Sequence, residues 1–222
     1  MRTSEFKFLA TIQSITLILV LILLVDRYYQ KSSPRDVNEG IALSTDVGTE
    51  TVAIGVNADN DFVYGNLRAP NTMFIFSRYN CDYCRQFYAV VLDSLLNGPV
   101  KDGRLKIVSK NFVRLDDQVG MLMAKTTEAA RQMGKYEQVH NALIQAPLSY
   151  DSTEIVNIAI NAGLEKDTYL KLLNAPQTID KILNDRKLGE SIHIQATPSL
   201  YINGVLNTGY MNYDLILDYI NL

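Results

Sequence analysis

The residues with the most obvious chemistry are Cys81 and Cys84, set in the stretch SRYNCDYCRQ at 77–86 and the only cysteines of a 222-residue chain. Three roles fit a Cys-x-x-Cys pair: a structural staple, half of a metal site, or a redox centre. Two cysteines are too few for a disulfide scaffold, and a chain of this length buries a core without one. A closed zinc site needs four ligands. No second Cys-x-x-Cys exists, and His140 and His193, the only histidines, lie far off in sequence. No metal or organic cofactor is therefore expected. The redox reading leads, with a buried inert pair or a permanent local disulfide as the alternative.

The surrounding elements decide where the sulfurs sit. TMFIFS, 72–77, is a nearly continuous apolar run, which suits a central strand covered on both faces. From 84 to 98 the period becomes helical, with Phe87, Val90, Val91 and Leu95 on the apolar side and Asn97–Gly98–Pro99 as the stop. LKIVSKNFV, 105–113, predicts a further strand and so a βαβ unit. Cys81 then lies where the strand ends and the helix starts. A thiolate there faces unpaired backbone N–H groups and the positive end of the helix dipole, which lowers its pKa. Three residues on, Cys84 reaches it across one turn, so an exposed Cys81 would attack a disulfide and Cys84 would resolve the product.

Upstream, TVAIGV at 51–56 and DFVYGNLRAP at 61–70 predict short extended pieces. Residues 117–190 read as amphipathic helices separated by Gly or Pro, the third capped by Asp151 or Ser152. PSLYI and GVLNTG predict strands around the Asn203–Gly204 turn. MNYDLILDYIN predicts a closing helix with Leu215, Ile216, Tyr219 and Ile220 on its buried side.

The chain resembles the thioredoxin fold, and more specifically the DsbA-like thiol-disulfide oxidoreductases of bacterial envelopes. YGNLRAPNTMFIFSRYNCDYCRQF matches that family's approach to its active site, and ATPSLYINGVLNTG resembles its cis-proline loop and hairpin. The resemblance spans about 51–220. It implies an α/β, thioredoxin-like fold, with the helical segment 117–190 inserted between the N-terminal βαβ part and the C-terminal β-hairpin. It implies Cys81 as nucleophile, Cys84 as resolving cysteine, and Thr197 with a cis Pro198 as the loop that presents backbone to an extended substrate. Three residues depart from the family pattern. Asp82 stands where proline is common, and a carboxylate there opposes the thiolate. Arg78 stands where an acidic residue is common, and its charge favours the thiolate. Ile75 replaces a buried acid assigned to proton transfer with the resolving thiol. Tyr83, with Tyr79, flanks the site as a client contact surface or as packing. His193 is a candidate to approach Cys81 or an ordinary loop residue, His140 reads as a plain helix residue, and Met121, Met123 and Met133 as core filler.

The N-terminal run from Phe8 to Val25 carries no charge. It reaches the lower limit of a membrane span, which needs roughly 20 residues for about 30 Å of hydrocarbon. No small-x-small cleavage site follows. The reading is an uncleaved anchor at 1–25 with a short cytoplasmic tail, a linker at 26–50 and a folded domain at 51–222. The protein would then be single-pass in the cell membrane, its catalytic domain on the periplasmic or extracellular side. Net charge is −3 and the signs are interspersed, so no nucleic-acid surface is expected. The partners expected are unfolded or partly folded clients, a redox protein that resets the cysteine pair, and the membrane through residues 8–25. Donation of disulfides is the first choice of activity. Reduction or isomerisation, or a tethered binding module without catalysis, are the alternatives.

Overall fold

The computed structural model describes residues 54–147 and 151–220. Its centre is a five-stranded sheet in the order β1-β3-β2-β4-β5. The strands are β1 (Phe62–Tyr64), β2 (Asn71–Ser77), β3 (Leu105–Asn111), β4 (Ser199–Ile202) and β5 (Val205–Thr208). β2 pairs parallel with β3 and antiparallel with β4, which makes TMFIFS the middle strand. Strand side chains alternate between faces. Met73 and Ile75 enter a core with Phe87, Val91, Leu95 and Ile216, while Phe74 and Phe76 pack with Val108, Ile192, Ile194 and Tyr201 on the other face. All four β2 side chains are buried, so the unbroken apolar run has its physical reason.

Between β2 and β3 runs α1 (Asp82–Gln86), continued by a π-helical stretch Phe87–Leu92, an α turn Asp93–Leu95 and a second π stretch Leu96–Val100. Tyr88 and Leu92 join Cys84, Phe87, Val91 and Leu95 on one buried face at helical i, i+3, i+4 spacing, and Val90, expected to be buried, lies off that face and is 58% exposed. The insertion comprises α2 (Gln118–Gln132), α3 (Tyr136–Gln145), α4 (Ser152–Asn161), α5 (Lys166–Leu173) and α6 (Pro176–Ser191). It has its own core, built on Met123, Val139, Leu143, Ile155, Tyr169 and Leu173. Asp151 caps α4 in a full capping box with Glu154. The β4–β5 hairpin turns at Asn203 and Gly204, both at positive φ, as a two-residue turn requires. In α7 (Tyr213–Ile220), Ile216 and Ile220 are buried, but Leu215 is half exposed, which corrects its expected place in the core. The chain thus has an α/β thioredoxin-like core with a helical insertion between β3 and β4.

A buried charge cluster fastens α6 to the sheet. Lys110 Nζ lies 2.6 Å from Asp61 Oδ1 and 3.2 Å from Asp185 Oδ1, and Lys181 Nζ lies 2.6 Å from Asp185 Oδ2 and 3.4 Å from Asp61 Oδ1. The backbone N–H of Asn57 donates to Asp61 Oδ2, and that of Asn111 to Asp185 Oδ2. Two cations and two anions thus balance, with the donors that buried carboxylates need.

Three expectations change. Residues 54–57 are not a strand, and 51–53 lie outside the described residues, so the strand read at 51–56 is not found where it can be followed. The helix carrying Cys84 starts two residues earlier than expected, at Asp82, whose carboxylate suits the first turn. The single-pass membrane reading is also corrected. Among the described residues no helix is long and apolar enough to cross a membrane. The longest continuous helical stretch, 82–100, carries Asp82, Arg85 and Asp93 and is kinked at Gly98. The proposed anchor 1–25, with its span 8–25, and the linker 26–50 lie outside the described residues. The transmembrane helix, the signal-anchor, the membrane as a partner and the periplasmic or extracellular placement derived from them are therefore withdrawn.

Candidate functional site

Four residues link β2 to α1, and the last of them is Cys81. It takes an extended backbone (φ −123°, ψ 119°) at the N-cap of the helix, and its carbonyl accepts the Arg85 N–H at 3.0 Å. Opposite it lies the loop before β4, where the Thr197–Pro198 peptide bond is cis. The Cys81 thiol donates to the Thr197 carbonyl at 3.3 Å, joining positions 116 residues apart. Cys81 is 8% exposed rather than open as the sequence suggests, and Cys84 is fully buried. Both carry free thiols.

The two sulfurs are driven apart in acidity. Hydrogen bonding from the Cys84 thiol, from the Thr197 side chain and from the Cys84 backbone N–H, with the nearby Arg78 charge, stabilises a Cys81 thiolate. These outweigh the opposing effect of burial and bring the Cys81 pKa down to about 5. Cys84 is raised instead, first because its proton is held toward Cys81 and second because it is buried. The pair therefore holds one thiolate, on Cys81, and one thiol, on Cys84. Asp82 and Tyr83 are exposed on the first turn of α1.

Arg78 is partly exposed, 4.0 Å from Asp117 Oδ2, a separation too long for a hydrogen bond. Asp117 itself accepts from the Asn80 side chain at 2.6 Å and caps α2 through the Gly120 N–H at 2.8 Å. The linking residues are thereby held by the insertion. A second tie comes from Arg85, whose guanidinium donates to the carbonyls of Leu143, Ile144 and Ala146 at the end of α3.

Sequence reasoning missed a buried polar group on α3 that packs against Tyr88, one turn along the helix from Cys84. His140, read as a plain helix residue, is 1% exposed, and its Nδ1 meets the Tyr79 hydroxyl at 2.7 Å. Burial pushes its pKa down to about 3, so the ring is neutral at ordinary pH. Its Nε2 has no hydrogen-bond partner. The rings of Tyr88 and Tyr136 pack against it, and their hydroxyls bond Ser77 and Ser109. Ile75, where a buried acid was noted as missing, is wholly in the apolar core. The polar group on that face of β2 is Ser77, two residues on. His193 sits in an exposed loop at positive φ. Among the described residues no cluster of three or more His, Cys, Asp or Glu is arranged to hold a metal ion.

The family model described as Thioredoxin matches residues 57–221. A thioredoxin-like oxidoreductase from Silicibacter pomeroyi is 27% identical, with a TM-score of 0.67 over 75% of this chain and 96% of that one. Wolbachia pipientis alpha-DsbA1 superposes with a TM-score of 0.67 at 22% identity, over 78% and 94% of the two chains. BdbD from Bacillus subtilis gives 0.66 at 20% identity, over 74% and 93%. Among curated proteins, the chain is 21% identical to the Na(+)/H(+) antiporter NhaA 3 of Salinispora tropica over 175 residues, 78% of this chain. The chain spans about a quarter of that relative's length (26%), and no transport activity is carried over. The matched family model, the sheet order and the helical insertion agree: the chain belongs to the thioredoxin family, with a DsbA-type fold and the cysteine pair of an oxidoreductase.

Proposed function

We propose that this protein exchanges disulfides with other proteins through Cys81 and Cys84, acting as a disulfide donor. The observation that carries the reading is the contrast between the two sulfurs. Cys81 is stabilised as a thiolate with its pKa at about 5, beside the Thr197 carbonyl, while Cys84 is buried and held protonated. In the oxidised protein a client thiolate attacks Cys81 Sγ, the Cys81–Cys84 bond breaks, and Cys84 leaves and takes up a proton. A second client thiolate then attacks the client sulfur of the mixed disulfide and expels Cys81 as a thiolate, a good leaving group at this pKa. The client loses two electrons and the cysteine pair gains them. A thiol-disulfide partner must reoxidise the pair after each cycle. Stabilising the reduced form in this way makes the disulfide the more oxidising state. In a related structure, alpha-DsbA2 of Wolbachia pipientis, the protein is titled a thiol-disulfide exchange protein, which supports the same class of chemistry here.

A Cys84→Ala protein is expected to accumulate mixed disulfides through Cys81, seen as thiol-reversible adducts by mass spectrometry. If no adduct forms and Cys81 also resists alkylation, the enzymatic reading is lost. Direction is tested separately, by equilibration of the pair against glutathione. A potential nearer about −120 mV than about −270 mV is expected for a donor, and a value at the lower end would make the protein a reductant.

A further inference from the structure

Beside the redox pair is a cavity of about 320 Å³, whose lining includes Arg78, Arg114, Arg186, Phe112, Gln195 and Thr197. These residues come from four separate stretches: the link before α1, the segment after β3, helix α6, and the loop before β4. Three guanidinium groups line one cavity, and no carboxylate is among its lining residues. Each arginine has an acidic neighbour outside the lining: Asp117 for Arg78, Asp116 for Arg114 and Glu190 for Arg186. Arg186 is fixed in place, donating to the Val113 carbonyl at 2.6 Å and lying over the Phe112 ring at 5.3 Å. Arg114 is held by Asp116 through Nε and one terminal nitrogen. Thr197 belongs to both places, since it lines the cavity and its carbonyl accepts the Cys81 thiol.

We propose that this cavity is a carboxylate-binding subsite, which selects thiol substrates carrying an acidic group close to the sulfur that joins Cys81 in the mixed disulfide. The proposal rests on the thiol-exchange reading and names the substrate class of that same site. Consecutive residues of an extended chain advance by about 3.3 Å. A sulfur placed at Cys81 beside Thr197, itself a lining residue, therefore puts flanking side chains at the edge of the arginine-lined cavity. Guanidinium forks bind carboxylates in paired, charge-assisted hydrogen bonds. Two sources share this chemistry: an acidic residue next to a client cysteine, and the carboxylates of a small acidic thiol.

The test uses the reduced full-length chain and probes activated as 2-pyridyl disulfides, whose leaving group is uncharged. The Cys81 thiolate attacks the probe sulfur, a Cys81–probe disulfide forms, and pyridine-2-thiol departs and is read by its absorbance. One set is a cysteine peptide with Glu, Gln or Lys on either side. The other is glutathione against its neutral diester. The acidic member of a set is expected to react about tenfold faster than the neutral one at low salt, the scale of a single charge-assisted contact. The advantage should shrink at high salt. Arg114→Gln should lower the ratio, and Arg114→Glu should bring it below one. Arg114 suits this purpose because its side chain is 66% exposed. Preference in the peptide set assigns the subsite to polypeptides, and preference in the glutathione set alone assigns it to small thiols. Equal rates across both sets, with Cys81 reacting normally, overturn the subsite and leave the thiol-exchange reading standing. No reaction with any probe overturns both.

Discussion

Alkylation of Cys81 in the reduced protein is expected to titrate with a midpoint at about pH 5, with Cys84 unmodified at any pH where the fold persists. A free thiol titrates near about 8.5. At neutral pH Cys81 would then be essentially all thiolate, against about 3% for a free cysteine, a gain of about thirtyfold in the reactive form. The physical source is local. On losing its proton, Cys81 gives up the bond to the Thr197 carbonyl, which only a thiol can donate. In exchange it accepts from the Cys84 thiol, the Thr197 side chain and the Cys84 N–H, with the Arg78 charge nearby. Arg78 is the last of these causes in size, so Arg78→Gln should raise the midpoint only slightly, whereas Cys84→Ala, which removes the first, should raise it most. A wild-type midpoint near 8.5 would refute this account of the site.

The same shift makes the reduced fold depend on pH, with a definite sign. The Cys81 pKa is lower folded than unfolded, so its stabilisation is full above the unfolded value of about 8.5 and is lost as pH falls through about 5. Cys84 is raised, so it works the other way and subtracts stability once pH passes the unfolded thiol value. The melting temperature of the reduced protein should therefore climb between about pH 5 and 8.5 relative to the oxidised protein, and the gap should narrow beyond it.

Lys110→Met is expected to lower stability by about 3–5 kcal/mol, the cost of leaving a buried charge uncompensated. For a chain of this size that corresponds to a fall in Tm of about 10 °C. Without Lys110, the carboxylates of Asp61 and Asp185 face only Lys181, and all three side chains are nearly buried. Adding Asp61→Asn to Lys110→Met restores the balance by leaving the close Lys181–Asp185 pair at 2.6 Å. The double variant should recover part of the loss. If it melts no higher than Lys110→Met, the effect comes from lost packing rather than unpaired charge.

Much of the molecule could be read from local pattern. The apolar run TMFIFS marks a strand buried on both faces, and the Asn203–Gly204 pair marks the hairpin. What escaped the sequence depends on side chains brought together from distant segments. His140 meets Tyr79 across 61 residues, and nothing in YEQVHNALI distinguishes a hydrogen-bonded core histidine from an ordinary one. Arg78, Arg114 and Arg186 share a cavity although nothing in their separate segments links the three. Asp61, Lys110, Lys181 and Asp185 similarly carry no signal of burial until three elements pack. Val90 is apolar but falls outside the i, i+3, i+4 stripe of Phe87, Tyr88, Val91 and Leu92, so its residue type and its helical position point to opposite sides. The N-terminal run is read from its length, its lack of charge and the absence of a cleavage site, and it lies outside the described residues.

The tie made by Arg85 has a consequence for cooperativity. Its guanidinium occupies carbonyls at the end of α3, groups that a helix terminus leaves without partners of its own. Arg85 is also the residue immediately after Cys84. The insertion therefore cannot peel away without freeing those carbonyls and disturbing the first turn of the redox helix. The two regions behave as one opening unit rather than as a rigid core with an independent cap. A displacement of the end of α3 would thereby be passed to the backbone beside Cys84.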